Sequence, residues 1–163
     1  MPGYSIRSAE RSDGAFLGEM VVEAANWRQG GARPRVDVLT SPDYSRYLAG
    51  WMRPGDAGFV AQDEHGEPIG AAWYRMFPRG SAGFGYVATG VPELIIGVRA
   101  IWRAQGVGRA LLRALCDHAR TQGFARISLS VEHGNFASTL YRSEGFAVTQ
   151  PGFGRDTMVK RLR

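Results

Sequence analysis

The residues best suited to chemistry lie between Pro92 and Leu112. An apolar segment there leads into Arg103-Ala104-Gln105-Gly106-Val107-Gly108, and Arg109-Ala110-Leu111-Leu112 opens a helix. Two glycines at a helix entrance leave backbone N–H groups bare and closely approachable. With the positive end of the helix dipole they make a site for a phosphate-bearing ligand. The spacing argues against both familiar phosphate loops. A triphosphate loop carries Lys-Ser or Lys-Thr after its last glycine, and Arg109-Ala110 stand there instead. A dinucleotide fingerprint begins directly after its strand and has a third glycine. Here Gly106 lies eight residues beyond Val98, and position 111 is leucine.

The elements that must position this loop follow from periodicity. Tyr4 to Arg7 reads as a short strand, and Gly14 to Ala25 as an amphipathic helix with Phe16, Leu17, Met20, Val21 and Ala24 at helical spacing. Asn26 to Pro34, with Gly30-Gly31, reads as a loop. Ser41 to Gly50 reads as a helix with Pro42 in its first turn and an apolar stripe of Tyr44, Tyr47, Leu48 and Trp51. Strands are expected at 58–62 and 69–77 around the turn at Asp63 to Pro68, then at Glu93 to Val98 and Arg126 to Val131. Helices are expected at Arg109 to Gln122, ending at Gly123, and at Phe136 to Glu144, ending at Gly145. A final hairpin takes in 146–148 and 157–162. This order, β-α-α-β-β-β-α-β-α-β before the last strands, describes one α/β domain over residues 1–163, a mixed sheet with helices on both faces.

A more specific pattern then emerges. Val98, Arg103, Gly106 and Gly108 spell Val-x-x-x-x-Arg-x-x-Gly-x-Gly, and Asn135-Phe136-Ala137-Ser138-Thr139-Leu140-Tyr141 continues to Gly145-Phe146. The two blocks, in this order with a strand between them, resemble the GNAT superfamily of acyl-CoA-dependent N-acetyltransferases. The specific resemblance covers roughly residues 58 to 160, while 8 to 55 match in general layout. It implies a GNAT-like fold, a mostly antiparallel sheet whose central strands splay, with acetyl-CoA as cosubstrate. It implies that Val98, Arg99, Arg103, Ala104, Gln105, Gly106, Val107, Gly108, Arg109 and Ala110 hold the coenzyme, Val98 through its backbone and the glycine loop through the pyrophosphate. Asn135 either bonds the pantetheine arm or caps its helix.

Acyl transfer from a thioester to an amine needs a proton donor for the departing thiolate and an acceptor for the ammonium proton. Tyr141 matches the tyrosine that the family places beside the coenzyme sulfur, and a phenol of pKa about 10 is protonated at neutral pH. A packing role beside Leu140 and Phe146 is the alternative. Glu93 opens the central strand, where many family members place a carboxylate that relays a proton; a solvated strand-end residue is the other reading. Glu132 and His133 are further candidate bases. His65 and His118 read as surface groups. Trp27, Trp51, Trp73, Tyr74, Arg75 and Phe77 are candidates for the acceptor pocket, with packing in the core the alternative for the aromatics, and the Gly80 to Pro92 loop is a candidate for a lid or a contact in a homodimer.

Composition bounds the rest. The 163 residues carry 44% apolar and 21% charged side chains and a net charge of +5. Lys160 is the only lysine and Cys116 the only cysteine, which excludes an internal disulfide and suits a cytoplasmic protein. No apolar run suggests a membrane span, and Met1 to Ser5 show no signal-peptide core. The arginines are scattered rather than clustered, which speaks against nucleic acid. No His, Cys and Asp set has metal-ligand spacing, so no metal is expected. The reading is an N-acetyltransferase acting on a primary amine of a small molecule or peptide by direct attack in a ternary complex. The alternative is a catalytically inactive acyl-CoA-binding or regulatory module. An oxidoreductase fragment binding a dinucleotide fits the glycine spacing poorly.

Overall fold

The computed structural model describes residues 3–28 and 33–163; Met1-Pro2 and the Gly30-Gly31 pair of the expected loop lie outside them. In chain order the elements are β1 (Tyr4–Ser8), α1 (Gly14–Ala25), α2 (Arg35–Thr40), α3 (Pro42–Ser45), β2 (Ala57–Asp63), β3 (Pro68–Arg75) and β4 (Glu93–Val98). There follow α4 (Val107–Thr121), β5 (Arg126–Glu132), α5 (Ala137–Ser143), β6 (Ala147–Pro151) and β7 (Arg155–Arg161). The seven strands form one sheet in the order β1-β2-β3-β4-β5-β7-β6. All neighbours are antiparallel except β4 and β5.

Alternation along the strands distributes the core to two faces. Ala72 and Tyr74 of β3 pack with Leu111, Leu112 and Leu115 of α4. Their neighbours Ala71 and Trp73 pack with Leu17, Met20 and Val21 of α1. Helices therefore cover both faces, as the periodicity predicts. Cys116 belongs to the α4 side, where burial pushes its thiol up to about 11 and leaves it a packing group.

Two helical assignments differ from expectation. The helix at 41–50 shortens to α3, followed by turns with i to i+3 bonds such as Leu48 N–H to the Ser45 carbonyl. The cause is competition for carbonyls. The fully buried Arg75 donates to the carbonyls of Arg46 (2.9 Å) and Ala49 (2.6 Å), and the Trp73 indole donates to that of Tyr47 (2.9 Å). Those oxygens are diverted from a helical ladder. The short helix α2 has no clear periodicity; it forms behind Pro34 and docks the buried Val38 beside α1.

Candidate active site

The parallel pair β4 and β5 decides where a ligand can lie. The two strands pair at a single position, Glu93 opposite Ser128, with the Ser128 N–H on the Pro92 carbonyl at 3.0 Å. Beyond it they part, which is the expected splay. Leu94 to Val98 form one wall of a cleft of about 650 Å³, and Leu129 to Glu132 the other. Sheet groups released in this way need partners, and an extended amide-bearing ligand supplies them.

One end of the cleft is the entrance of α4. Gly106 stands there as N-cap with φ of 87°, a conformation that favours glycine. The first backbone bond of the helix runs from the Ala110 N–H to the Gly106 carbonyl at 3.0 Å. The N–H groups of Val107, Gly108 and Arg109 precede that ladder. The helix thus begins at Val107 rather than Arg109, which puts Gly108 in its first turn. No protein atom forbids a side chain at Gly108, since a Cβ would lie 3.5 Å from Leu140 and 3.9 Å from Val98. It would instead fill the cleft over the bare N–H groups. A phosphate-bearing donor fits this cradle.

The basic residues around the cradle already have partners. Arg103 pairs with Glu23 of α1 at 2.8 Å, and Arg109 with Glu144, which also takes Arg113 at 2.8 Å. These arginines hold the Glu144 carboxyl below its usual range. Arg103, Ala104, Gly106, Gly108 and Arg109 line the cleft. Arg99 does not: it lies over the Phe16 ring, donates to the Pro68 carbonyl at 3.0 Å and pairs with Glu19 at 3.6 Å. Its side chain is thus directed to α1 and β3 rather than into the cleft. The Gln105 side chain turns back to the Ile101 carbonyl at 3.0 Å, and Val107 is buried against α4's own core face. Val107 offers the cradle its N–H rather than its side chain, whereas the Ala110 N–H is already bonded to the Gly106 carbonyl.

Asn135 and Tyr141 approach from α5. The Asn135 side-chain oxygen accepts the Ala137 N–H at 2.9 Å, so it caps the helix while also lining the cleft. Tyr141 is shared between core and cleft. Its ring packs 6.1 Å from that of Phe146 in the core, and it lines the cleft as well. Burial raises its ionisation above the usual phenol value, so it keeps its proton.

Glu93 stands at the opposite end of β4, about 16 Å from Val98 at strand rise. It is 2% exposed, not solvated. Tyr47 O–H and Gly85 N–H (2.9 Å) both donate to its Oε2. Its Oε1 is sealed and, among the described residues, is the one such side-chain atom without a partner. Burial, partly offset by these hydrogen bonds, raises the carboxyl to about 7. Near it stand Tyr44, Tyr47 and Phe84, with the Arg155 guanidinium 3.7 Å over the Phe84 ring; Trp27 lines the cleft farther along, beside Gly134. Glu132 also lines the cleft but is engaged by Arg155 at 3.2 Å and Arg33 at 3.4 Å. His133 is exposed and pairs with Asp156 at 2.8 Å.

Of the proposed acceptor aromatics, Trp27 alone lines the cleft. Trp73, Tyr74, Arg75 and Phe77 are core, and Trp51 donates from its indole to the Glu10 carbonyl at 3.0 Å. His118 is no simple surface group, for it packs between Phe59 and Tyr74. The residues that motif reading missed are Tyr44, Tyr47, Phe84 and Arg155. The signal for the first two was the apolar stripe at 44, 47 and 48; nothing local marks Phe84 or Arg155.

Comparison with known proteins agrees with this geometry. Residues 21–146 match the sequence model of the acetyltransferase (GNAT) family. The chain belongs to that family, an enzyme family whose cosubstrate is acetyl-CoA. The mycothiol acetyltransferase of Cellulomonas flavigena is 30% identical over 131 residues, 76% of this chain and 37% of the relative. The L-methionine sulfoximine/L-methionine sulfone acetyltransferase of Pseudomonas aeruginosa is 38% identical over 98 residues, 60% of this chain and 54% of the relative. The chain thus spans only part of the length of these curated relatives. Among solved GNAT structures, an acetyltransferase of Staphylococcus aureus superposes with a TM-score of 0.72 at 16% identity, covering 98% of this chain and 99% of its own. YncA of Salmonella typhimurium, solved with its cofactor acetyl-CoA, gives 0.67 at 24% identity, covering 99% and 95%. At these identities the structures speak for the shared fold.

Proposed function

We propose that the protein transfers an acetyl group from acetyl-CoA to the primary amine of a small molecule, by direct attack while donor and acceptor share the cleft. The observation that carries this reading is the joint placement of Glu93 and Tyr141 on a cleft whose far end is the α4 cradle. When bound, acetyl-CoA supplies an acetyl group activated as a thioester. The N–H groups of Val107, Gly108 and Arg109 hold its pyrophosphate, and the unpaired edge of β4 around Val98 aligns its amide-bearing arm. Glu93, near half ionised at neutral pH, accepts the ammonium proton of the acceptor, directly or through water. Tyr141 holds a proton for the departing sulfur. The acceptor's apolar body rests against Tyr44 and Phe84. The names of the relatives support a small-molecule acceptor, since mycothiol and methionine sulfoximine acetyltransferases are among them.

Calorimetric titration with acetyl-CoA, with NAD as control, tests the donor half. Saturable one-to-one binding with NAD silent is expected, followed by an amine screen read as thiol release. Absence of acetyl-CoA binding overturns the assignment. Binding without turnover on any amine returns the protein to a donor-binding module.

A further inference from the structure

We propose that Tyr47 is a positioning residue for Glu93, holding the carboxylate at Oε2 and stabilising its ionised form through that hydrogen bond. The inference rests on Glu93 serving as the base. Three donors are arranged in sequence around the carboxylate. The Phe84 N–H donates to the Tyr47 hydroxyl oxygen at 3.0 Å, which turns the hydroxyl hydrogen away from Phe84. Tyr47 then donates to Oε2. The Gly85 N–H donates to the same oxygen at 2.9 Å. Negative charge is thereby stabilised at Oε2, which favours the ionised carboxylate. Gly83 completes the arrangement, because a Cβ at that position would occupy the space against Oε1.

No cation takes over this role. Arg155 from β7 donates to Ser130 at 3.0 Å and Glu132 at 3.2 Å, and Arg46 is engaged by Asp43 at 3.5 Å and the Ala82 carbonyl. Arg75, opposite Glu93 in the β3–β4 register, pairs with Asp56 at 3.0 Å. Arg155 and Arg46 act on Glu93 through space, and the Tyr47 hydroxyl is its side-chain hydrogen-bond donor among the described residues. That hydroxyl keeps its proton across the working range, since burial and the neighbouring carboxylate hold its ionisation well above the ordinary value.

The test is Tyr47→Phe, which keeps the ring that packs on Phe77 and Phe84. Carbon-13 NMR of labelled glutamate in the unliganded protein reads the Glu93 midpoint directly, with Glu93→Gln assigning the resonance. Loss of the donor is expected to raise the midpoint by about one pH unit. The acid limb of kcat/KM moves upward by the same amount, with KM for acetyl-CoA unchanged. Should Tyr47→Phe not fold, 3-fluorotyrosine in place of tyrosine supplies a stronger donor of similar shape, and the midpoint is expected to fall. An unmoved midpoint in the folded variant overturns the positioning role and leaves Glu93 as base untouched. Full turnover in Glu93→Gln overturns the base, and the inference with it.

Discussion

The two ends of the cleft are built on different principles. The end proposed for the donor is made of backbone: a glycine at φ of 87°, three N–H groups ahead of the α4 ladder, and the edge of β4. All of it comes from Val98 to Ala110. The end proposed for the acceptor is made of side chains from distant segments: Tyr44 in α3, Tyr47 just after it, Phe84 from the long loop, Glu93 from β4 and Arg155 from β7. Backbone recognition asks little of residue type beyond small size at the point of approach, so it suits the invariant part of a donor. Side-chain recognition changes with each substitution, so it suits an acceptor that distinguishes one enzyme from another.

The contrast predicts that variants at one end leave the other end's ligand untouched. The largest effect is expected from Gly108→Glu, which puts bulk and a negative charge over the cradle. Acetyl-CoA affinity should fall by roughly 10³-fold (~4 kcal/mol), read by calorimetry, with the thermal midpoint little changed. Unaltered affinity would break the donor assignment. Glu93→Gln comes next: kcat is expected to drop about 10²- to 10³-fold while donor affinity holds. Because only the ionised base accepts a proton and burial holds Glu93 at about 7, wild-type kcat/KM should fall as pH drops below 7. That limb should vanish in Glu93→Gln.

Tyr141→Phe should lower turnover by about 10²-fold with donor affinity nearly intact; a wild-type rate would reduce the phenol to its contact with Phe146. Phe84→Ala should raise acceptor KM about tenfold, the loss of part of an aromatic wall, and leave the acetyl-CoA constant alone. The smallest effect is expected from Arg109→Ala. Its guanidinium is already engaged by Glu144 and by Ser143 at 3.0 Å, so donor affinity should weaken only a few-fold, by about 1 kcal/mol. A loss as large as that at Gly108 would mean that Arg109 leaves Glu144 to bind phosphate.

Legibility in the sequence follows the same division. Periodicity located β4 to the residue and α1 to both ends, because each is a dense apolar run between plain terminators. It overextended the helix at 41–50, because nothing local announces that Arg75 and Trp73, some thirty residues on, will claim its carbonyls. Sequence leaves the β3 aromatics open between acceptor pocket and core, and strand alternation sends Trp73 and Tyr74 into the cores on opposite faces, while the Phe16 ring holds the Arg99 side chain.

By itself the sequence determined the donor cradle, since glycine conformation, helix entry and the N–H groups ahead of a ladder are local properties of a dozen consecutive residues. The fold class followed too, from periods of two and 3.6 residues that each element expresses on its own. Only the tertiary structure decided the state of Glu93. A strand-end carboxylate is solvated or buried according to what packs on it, and here the Phe84–Gly85 loop and Tyr47 cover it. Desolvation depends on neighbours brought from far along the chain, and no local pattern carries it.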